Sequence, residues 1–311
     1  MSNIEIALEN AKELFPICIP SYKRWQKEDN KTLTKIIANC DEEIRNKTYV
    51  FVRKEQADNY RESFSDLGIN IVELPHVEGL SDTRQYMCDY VTDVLGEKYF
   101  VDLDDDLTDL KYVYQDTDGK IKLNVKQPEK YSKIIRLFCE ISKIAFEKDE
   151  CLLGSLHRVR FANNKETYKN AYTTNKGATP RQCMTINADL LKKKGIRRSP
   201  IFNPTGDDMG FVAEIGKAKG NMFNVNCLAY AFVDDAINSV IRNDDNRKQL
   251  ASYEYESLKT YPIKHYLRIP FTYEDGSYKF SDIDFTKYRK LCNKKSNKVE
   301  IDAICKIKKW T

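Results

Sequence analysis

Tyr99-Phe100-Val101-Asp102-Leu103-Asp104-Asp105-Asp106-Leu107 joins a short apolar run to three consecutive carboxylates. The run predicts a buried strand, so the acids stand where that strand leaves the core. Three like charges within about 4–10 Å raise one another's pKa unless a cation or a hydrogen-bond network compensates them. Hard oxygen donors at a strand end suit Mg²⁺ or Mn²⁺, which takes one or two carboxylates and completes its shell with water and substrate phosphate. Alternation along an extended chain puts Asp102, Asp104 and Asp106 on one side and Asp105 on the other. Asp104 and Asp106 are then the metal-facing pair, with Asp102 the competing frame. An acidic turn in solvent, or a helix N-cap built from Asp106 and Thr108, accounts for the same residues.

Outward from this strand the pattern is repetitive. Phe15-Pro16-Ile17-Cys18-Ile19 is a strand that breaks at Pro20 into the polar loop Ser21-Tyr22-Lys23-Arg24. Residues 1–14 read as a short helix or arm, Thr32 as the cap of a helix, 48–52 as a strand, 56–67 as a helix and 69–74 as a third strand. Strand and helix alternating in this way predict a parallel sheet, whose ligands bind at the C-terminal ends of the strands. The loop Glu78-Gly79-Leu80 leads into a helix opened by Ser81 or Asp82, with Met87, Tyr90, Val91, Val94 and Leu95 at helical spacing. Arg84 in its first turn points a guanidinium and a helix dipole at the ligand edge, an arrangement suited to phosphate; a surface ion pair is the alternative.

Residues 111–126 predict a hairpin around Asp116-Thr117-Asp118-Gly119, and Pro128 opens a long helix with a core face of Ile134, Leu137, Phe138, Ile141, Ile144 and Ala145. A strand at 151–155 follows. Residues 161–181 are polar, aromatic and aperiodic, the pattern of a substrate loop or a disordered segment. After a strand at 182–186 and a helix running into Lys192-Lys193-Lys194-Gly195 comes Phe202-Asn203-Pro204-Thr205-Gly206-Asp207-Asp208-Met209-Gly210-Phe211. Two acids at a helix start are favoured by its dipole, and they are also how a general base is set against an acceptor hydroxyl. A strand at 227–233 and a polar helix at 234–250 precede a basic, aromatic tail that includes Tyr261–Tyr266, Lys287–Lys290, Lys294-Lys295 and Lys306–Trp310. Interleaved bases and rings suit nucleic acid, and lysine runs also serve as solvated faces.

The chain has 311 residues, enough for one large domain or one and a half. Its 51 bases and 47 acids leave a net charge of +4, so the distribution of charge says more than its sum. The nine cysteines include no Cys-x-x-Cys pair and predict reduced thiols. No apolar run reaches the roughly 20 residues of a membrane span, and Met1–Glu5 lacks the regions of a signal peptide, so the expected location is cytoplasmic, the host cytoplasm if the chain is phage-encoded.

Taken in order, Ile19–Arg24, Gly79-Leu80-Ser81-Asp82-Thr83-Arg84, the strand entering Asp104-Asp105-Asp106, and Gly206–Phe211 resemble nucleotide-sugar glycosyltransferases of the GT-A fold. Residues 15–220 resemble the TET-associated glycosyltransferases of bacteriophages, which attach sugars to 5-hydroxymethylpyrimidines in DNA. The resemblance implies an α/β fold with a GT-A-like mixed, mostly parallel sheet flanked by helices. It implies a domain over 1–250, with a nucleotide-binding half at about 15–110 and an acceptor half at about 150–235, and an extension over 251–311 packed on it. It also implies a nucleotide-sugar donor, a UDP-sugar first, with Mn²⁺ or Mg²⁺. Pro20, Ser21, Tyr22, Arg24, Gly79, Arg84, Asp104 and Asp105 would contact the nucleotide or diphosphate, Asp104 and Asp106 the metal, and Asp208 with Asp207 the acceptor. The family's acidic pair is more often Glu-Asp than Asp-Asp, and neither His157 nor His265 stands out as a third metal ligand.

A hydroxymethyl group on pyrimidine C5 lies in the major groove, so the enzyme must enter that groove or flip the base, and either needs phosphate contacts. Lys192, Lys193, Lys194, Arg197 and Arg198 are the candidates. The competing functions are a glycosyltransferase with a glycan, lipid-linked or protein acceptor, and an inactive binding module or nucleotidyltransferase-like protein that reuses the acids.

Overall fold

The computed structural model describes residues 2–159, 162, 169–175, 181–233, 247–261, 267–268, 282–283 and 296–310. Helix α1 (Asn3–Asn10) is followed by β1 (Ile17–Pro20), α2 (Glu42–Asn46), β2 (Thr48–Arg53), α3 (Ala57–Ser63), β3 (Asn70–Leu74), α4 (Leu80–Asp93) and β4 (Tyr99–Leu103). Then come the hairpin β5 (Leu107–Gln115) and β6 (Ile121–Leu123), α5 (Tyr131–Lys148), β7 (Cys151–Arg158), β8 (Asn170–Thr174) and β9 (Cys183–Asn187). The chain continues through α6 (Ala188–Lys193), α7 (Asp207–Lys217), β10 (Asn221–Phe232) and α8 (Arg247–Lys259). The two-residue strands β11 (Leu267–Arg268) and β12 (Asp282–Ile283) pair with each other, and β13 (Lys298–Glu300) leads into α9 (Ile301–Lys308).

The main sheet has the order β13-β8-β10-β7-β9-β4-β1-β2-β3, with β5 joined to β10 and β6 to β5. Four strands, β4-β1-β2-β3, are parallel, as the βαβ pattern predicts. Val50, Phe51 and Val52 are buried in succession because helices cover both faces there. Beyond β4 the pairing changes. β9 lies antiparallel between β4 and β7, β8 lies antiparallel to β10 and β13, and only the β7–β10 pair is parallel, so the parallel character belongs to the first half of the chain.

One face packs on α1, α2, α3, α5 and α9, and α5 buries the six apolar residues expected of it. Met87, Cys88 and Val91 of α4, Ala188 and Leu191 of α6, the apolar side of α7 and Leu258 of α8 cover the other. The eight cysteines among the described residues are all buried and unpaired. Among the described residues no helix is long and apolar enough to cross a membrane.

Three local expectations are corrected. Thr32 does not cap a regular helix: it is buried in a short π-helical turn and serves the acidic loop, as described below. Part of the aperiodic stretch 161–181 is strand β8, built on Asn170-Ala171-Tyr172-Thr173-Thr174, and residues 161, 163–168 and 176–180 lie outside the described residues. The helix expected over 234–250 is described only from Arg247, and α8 runs on across residue 250 to Lys259. His265, Lys287–Lys290 and Lys294-Lys295 also lie outside the described residues.

Candidate active site

The parallel strands β1, β2, β3 and β4 end at one edge, and a cavity of about 350 Å³ opens there. Pro20, Ser21, Tyr22, Arg24, Gly79, Asp104, Asp105 and Asp106 all line it. Residues from the loops after β1, β3 and β4, far apart in sequence, therefore meet at one place.

Its acidic wall begins where β4 stops. The Asp104 N–H donates to the carbonyl of Gln182 at 2.8 Å, and after that the chain turns. Thr32 holds the turn: its Oγ1 donates to the Asp104 carbonyl and accepts from Leu107 N–H at 2.9 Å, while its N–H donates to the Asp105 carbonyl at 3.2 Å. The two-sided alternation expected for the acids does not hold, because residues 104–106 form this turn and all three line the same cavity.

Each acid has a different neighbour. Asp105 takes a hydrogen bond from Ser21 Oγ at 2.6 Å and pairs with Arg24, so the β1 loop is pinned to the acidic turn. Lys23 adopts φ +58° inside that loop, and the Arg24 N–H donates to the hydroxyl of buried Tyr60 at 3.0 Å. Asp104 pairs with Arg84. Among the described residues, Asp106 Oδ1 is buried with no hydrogen-bond partner. Burial first, and then the Asp105 charge, pushes Asp106 up to about 6, while Asp104 is pushed well above the ordinary carboxylate range by burial and by Asp106, Asp102 and Asp207 against the pull of Arg84. No group of three or more acid, His or Cys side chains forms a metal cage among the described residues. What the turn does offer is an orphaned, buried carboxylate oxygen on Asp106 beside Asp104, both hard donors on residues that line the cavity, which fits a divalent cation that draws its other ligands from substrate and water.

Arg84 lies behind Asp104, not in the cavity wall. It is 2 % exposed, and its three nitrogens go to three acids: Nη2 to Asp104, Nη1 to Asp207 at 2.7 Å and Nε to Asp102 at 3.1 Å. The expectation that Arg84 meets the nucleobase or diphosphate is corrected: it is buried, ion-paired to these acids and absent from the cavity lining, although its Nε makes no hydrogen bond among the described residues. Asp102, fully buried on β4, belongs to this cluster and does not compete for the cavity.

Asp207 and Asp208 open α7 after Gly206, whose φ of +76° is left-handed. A Cβ on Gly206 would meet Glu254 Cγ at 2.5 Å, so a side chain there would have to displace Glu254 as well as adopt the left-handed backbone. Their side chains part. Asp207 is buried between Arg84 and Arg198, at 2.7 and 3.0 Å, which removes it as a base for an acceptor. Asp208 stays partly exposed; its Oδ1 accepts from the Met209 N–H at 2.8 Å and its Oδ2 lies 3.6 Å from Arg181 Nε. Neither lines the cavity; Asp207 stands one guanidinium away from Asp104.

The basic stretch expected to hold DNA is dispersed. Arg198 is 4 % exposed, stacked on the Phe211 ring at 3.9 Å and committed to Asp207, so it is not a phosphate ligand. Lys192, Lys193 and Arg197 are exposed but pair with Asp93, Asp189 and Asp89, and Lys194 is exposed beside them. Asp89 and Asp93 lie near the end of α4 remote from the cavity, and α6 starts against the carbonyl of Lys98, at the opposite edge of β4 from the acids. At 1.5 Å per residue, α4 carries Asp93 roughly 20 Å from its cavity end.

Residues not anticipated complete the wall. Arg53, at the end of β2, lies 4.6 Å from the Tyr22 ring centroid and has no acid partner among the described residues. Asn203 lines the cavity and caps α4 from outside: its Oδ1 accepts from the Asp82 N–H at 3.0 Å and its Nδ2 donates to Asp82 Oδ2 at 2.8 Å. The true N-cap is therefore Gly79, where a Cβ would sit 2.5 Å from the Asn203 carbonyl, and neither Ser81 nor Asp82 plays that part. A tertiary cap of this kind leaves no local spacing to read. His157 belongs to β7, opposite Ala229 of β10, with Nε2 3.0 Å from Asn226 Oδ1, and does not line the cavity.

A cavity at the carboxyl ends of parallel strands, walled by a turn of three carboxylates, is what the GT-A type of fold leads one to expect of a donor site. The chain belongs to the TET-associated glycosyltransferase family, whose sequence profile matches residues 15–236. No curated protein matches it in sequence. Among solved structures it is similar to glucosyl-3-phosphoglycerate synthase from Mycobacterium tuberculosis in complex with Mn²⁺, uridine diphosphate and glucosyl-3-phosphoglycerate, at 10% identity and a TM-score of 0.48 over 91% of each chain. It is similar to S. aureus TarS 1-349 at 11% identity and a TM-score of 0.42, over 81% of this chain and 73% of that one. A cytidylyltransferase from Leptospira borgpetersenii matches at 13% identity and a TM-score of 0.38, over 91% of this chain and 99% of that one.

Proposed function

We propose that this glycosyltransferase moves a sugar from a nucleotide-sugar donor, a UDP-sugar first, to the hydroxyl of a 5-hydroxymethylpyrimidine in DNA, with Mn²⁺ or Mg²⁺ bound by Asp104 and Asp106. The observation that carries the donor half is the unpartnered Asp106 Oδ1 beside Asp104 in the acid-walled cavity. A divalent cation held there supplies charge neutralisation for the departing diphosphate. The chain's own residues do the rest. Ser21 and Arg24 fix Asp105 and with it the turn, so the acids meet the donor already oriented. Tyr22 and Arg53, whose guanidinium lies over the Tyr22 ring, add an aromatic and cationic part of the cavity wall suited to a nucleobase.

On the acceptor side the base is Asp208. Its Oδ1 is engaged by the Met209 N–H, and its Oδ2, 3.6 Å from Arg181 Nε, is the oxygen that takes the proton of the attacking hydroxyl. Asp207 does not share that role. Family membership supports the DNA acceptor; the basic stretch named for phosphate contact does not, since Lys192, Lys193 and Arg197 are ion-paired on the surface and Arg198 is buried.

The test is incubation with a panel of nucleotide sugars, Mn²⁺, and DNA with or without 5-hydroxymethylpyrimidines, followed by nucleoside mass analysis. A gain of one hexose or pentose on the hydroxymethylated DNA alone is the expected result. Transfer only to a glycan or protein acceptor would replace the DNA half of the proposal and keep the donor half.

A further inference from the structure

Behind the acidic turn lies a buried group of charges that meets the cavity only at Asp104. Two guanidiniums, Arg84 and Arg198, are enclosed by Asp102, Asp104 and Asp207. Arg198 Nη2 lies 3.8 Å from Asp102 and its Nη1 3.0 Å from Asp207, while Arg84 joins Asp207 to Asp104. Four separate segments supply the group: β4 and the turn after it, the first turns of α4, the loop before α7, and α7 itself. Arg198 is locked on two further sides, by the Phe211 ring and by its own N–H donating to Gln85 Oε1 at 2.9 Å.

Three carboxylates against two guanidiniums leave one negative charge uncompensated. Asp102 and Asp207 are buried, and Asp104 is the member that opens on the cavity, with its side chain 26% exposed. The excess charge therefore sits at the end where a cation can meet it. Only one guanidinium separates this carboxylate from Asp207, and the next residue along the chain is Asp208.

We infer that Arg198 and Asp207 are positioning residues: acting through Arg84, they aim the Asp104 carboxylate at the metal and hold the start of α7, and so Asp208, in fixed relation to it. This rests on the donor-and-metal reading proposed above. The partners of a metal ligand set its orientation, and losing one typically weakens metal binding about 10–100-fold. Loss of fold alone would not single out the metal-dependent part of donor binding.

The experiment is calorimetric titration of UDP into wild type, Asp207→Asn and Arg198→Lys, each in EDTA and in Mn²⁺, with urea unfolding to establish that each variant is folded. Arg198→Lys keeps a cation in the group and serves as the milder probe. The expected result is that Mn²⁺-dependent UDP affinity falls about 10–100-fold in Asp207→Asn and by less in Arg198→Lys, while affinity in EDTA stays within about two-fold of wild type. Variants that bind Mn²⁺ and UDP as wild type does, or that lose affinity equally with and without metal, overturn the positioning role alone. A wild type whose UDP affinity ignores Mn²⁺ overturns the donor reading, and the inference with it.

Discussion

Residues 102–106 and residues 192–198 are both short stretches of like charge, yet the fold treats them in opposite ways. Asp104, Asp105 and Asp106 stand just past the C-terminal end of a parallel strand and converge, together with Ser21 and Arg24, on one cavity, with Asp102 and Arg84 buried behind them. The bases are scattered. Lys192, Lys193 and Arg197 pair with acids on the surface at the other edge of β4, and Arg198 turns inward to Asp207. A run of charge gains a function from the strand end it occupies and from the counter-charges that reach it, not from its density.

Each side of this contrast can be broken. The largest expected effect is at the acid that stands outside both stretches: Asp208→Asn should lower turnover about 10²–10⁴-fold with donor affinity unchanged, measured by steady-state transfer to hydroxymethylated DNA. Equal turnover would remove Asp208 as the base. Next is Arg198→Met. Removing one partner from a buried charge group costs about 3–5 kcal/mol, which urea unfolding should register as a lower midpoint. A change within about 0.5 kcal/mol, accompanied by weaker DNA binding, would return Arg198 to the surface role read from sequence. The smallest effect belongs to Lys192→Ala, Lys193→Ala and Lys194→Ala combined. Exposed pairs contribute about 0–1 kcal/mol each, so stability should barely move and the salt dependence of DNA binding should not change. A salt slope shallower by about three would show that these lysines do contact phosphates.

The legible parts were those written in local patterns. Alternating strands and helices through residue 103 gave the parallel half, and the apolar face of α5 was readable from spacing alone. Ser21, Arg24 and the acids could be placed because strand ends in such sheets meet at one edge. What escaped depended on partners distant in sequence. Thr32 holds a turn more than 70 residues away and Asn203 caps a helix 121 residues away. Nothing about Arg198 in its Lys-Lys-Lys-Gly-Ile-Arg-Arg context separates it from Arg197, since its burial is decided by Phe211, Gln85 and Asp207. Asp207 and Asp208 likewise look equivalent until two guanidiniums take one of them.

The central claim is that the crowded acids after β4 form a cation-dependent donor site, and the thermal midpoint of the protein with UDP tests it most directly. Addition of Mn²⁺ should raise that midpoint in wild type, and Asp106→Asn, which removes the carboxylate whose oxygen is left unpartnered, should abolish the rise. A wild type indifferent to Mn²⁺, or an Asp106→Asn variant stabilised to the same extent, would contradict it.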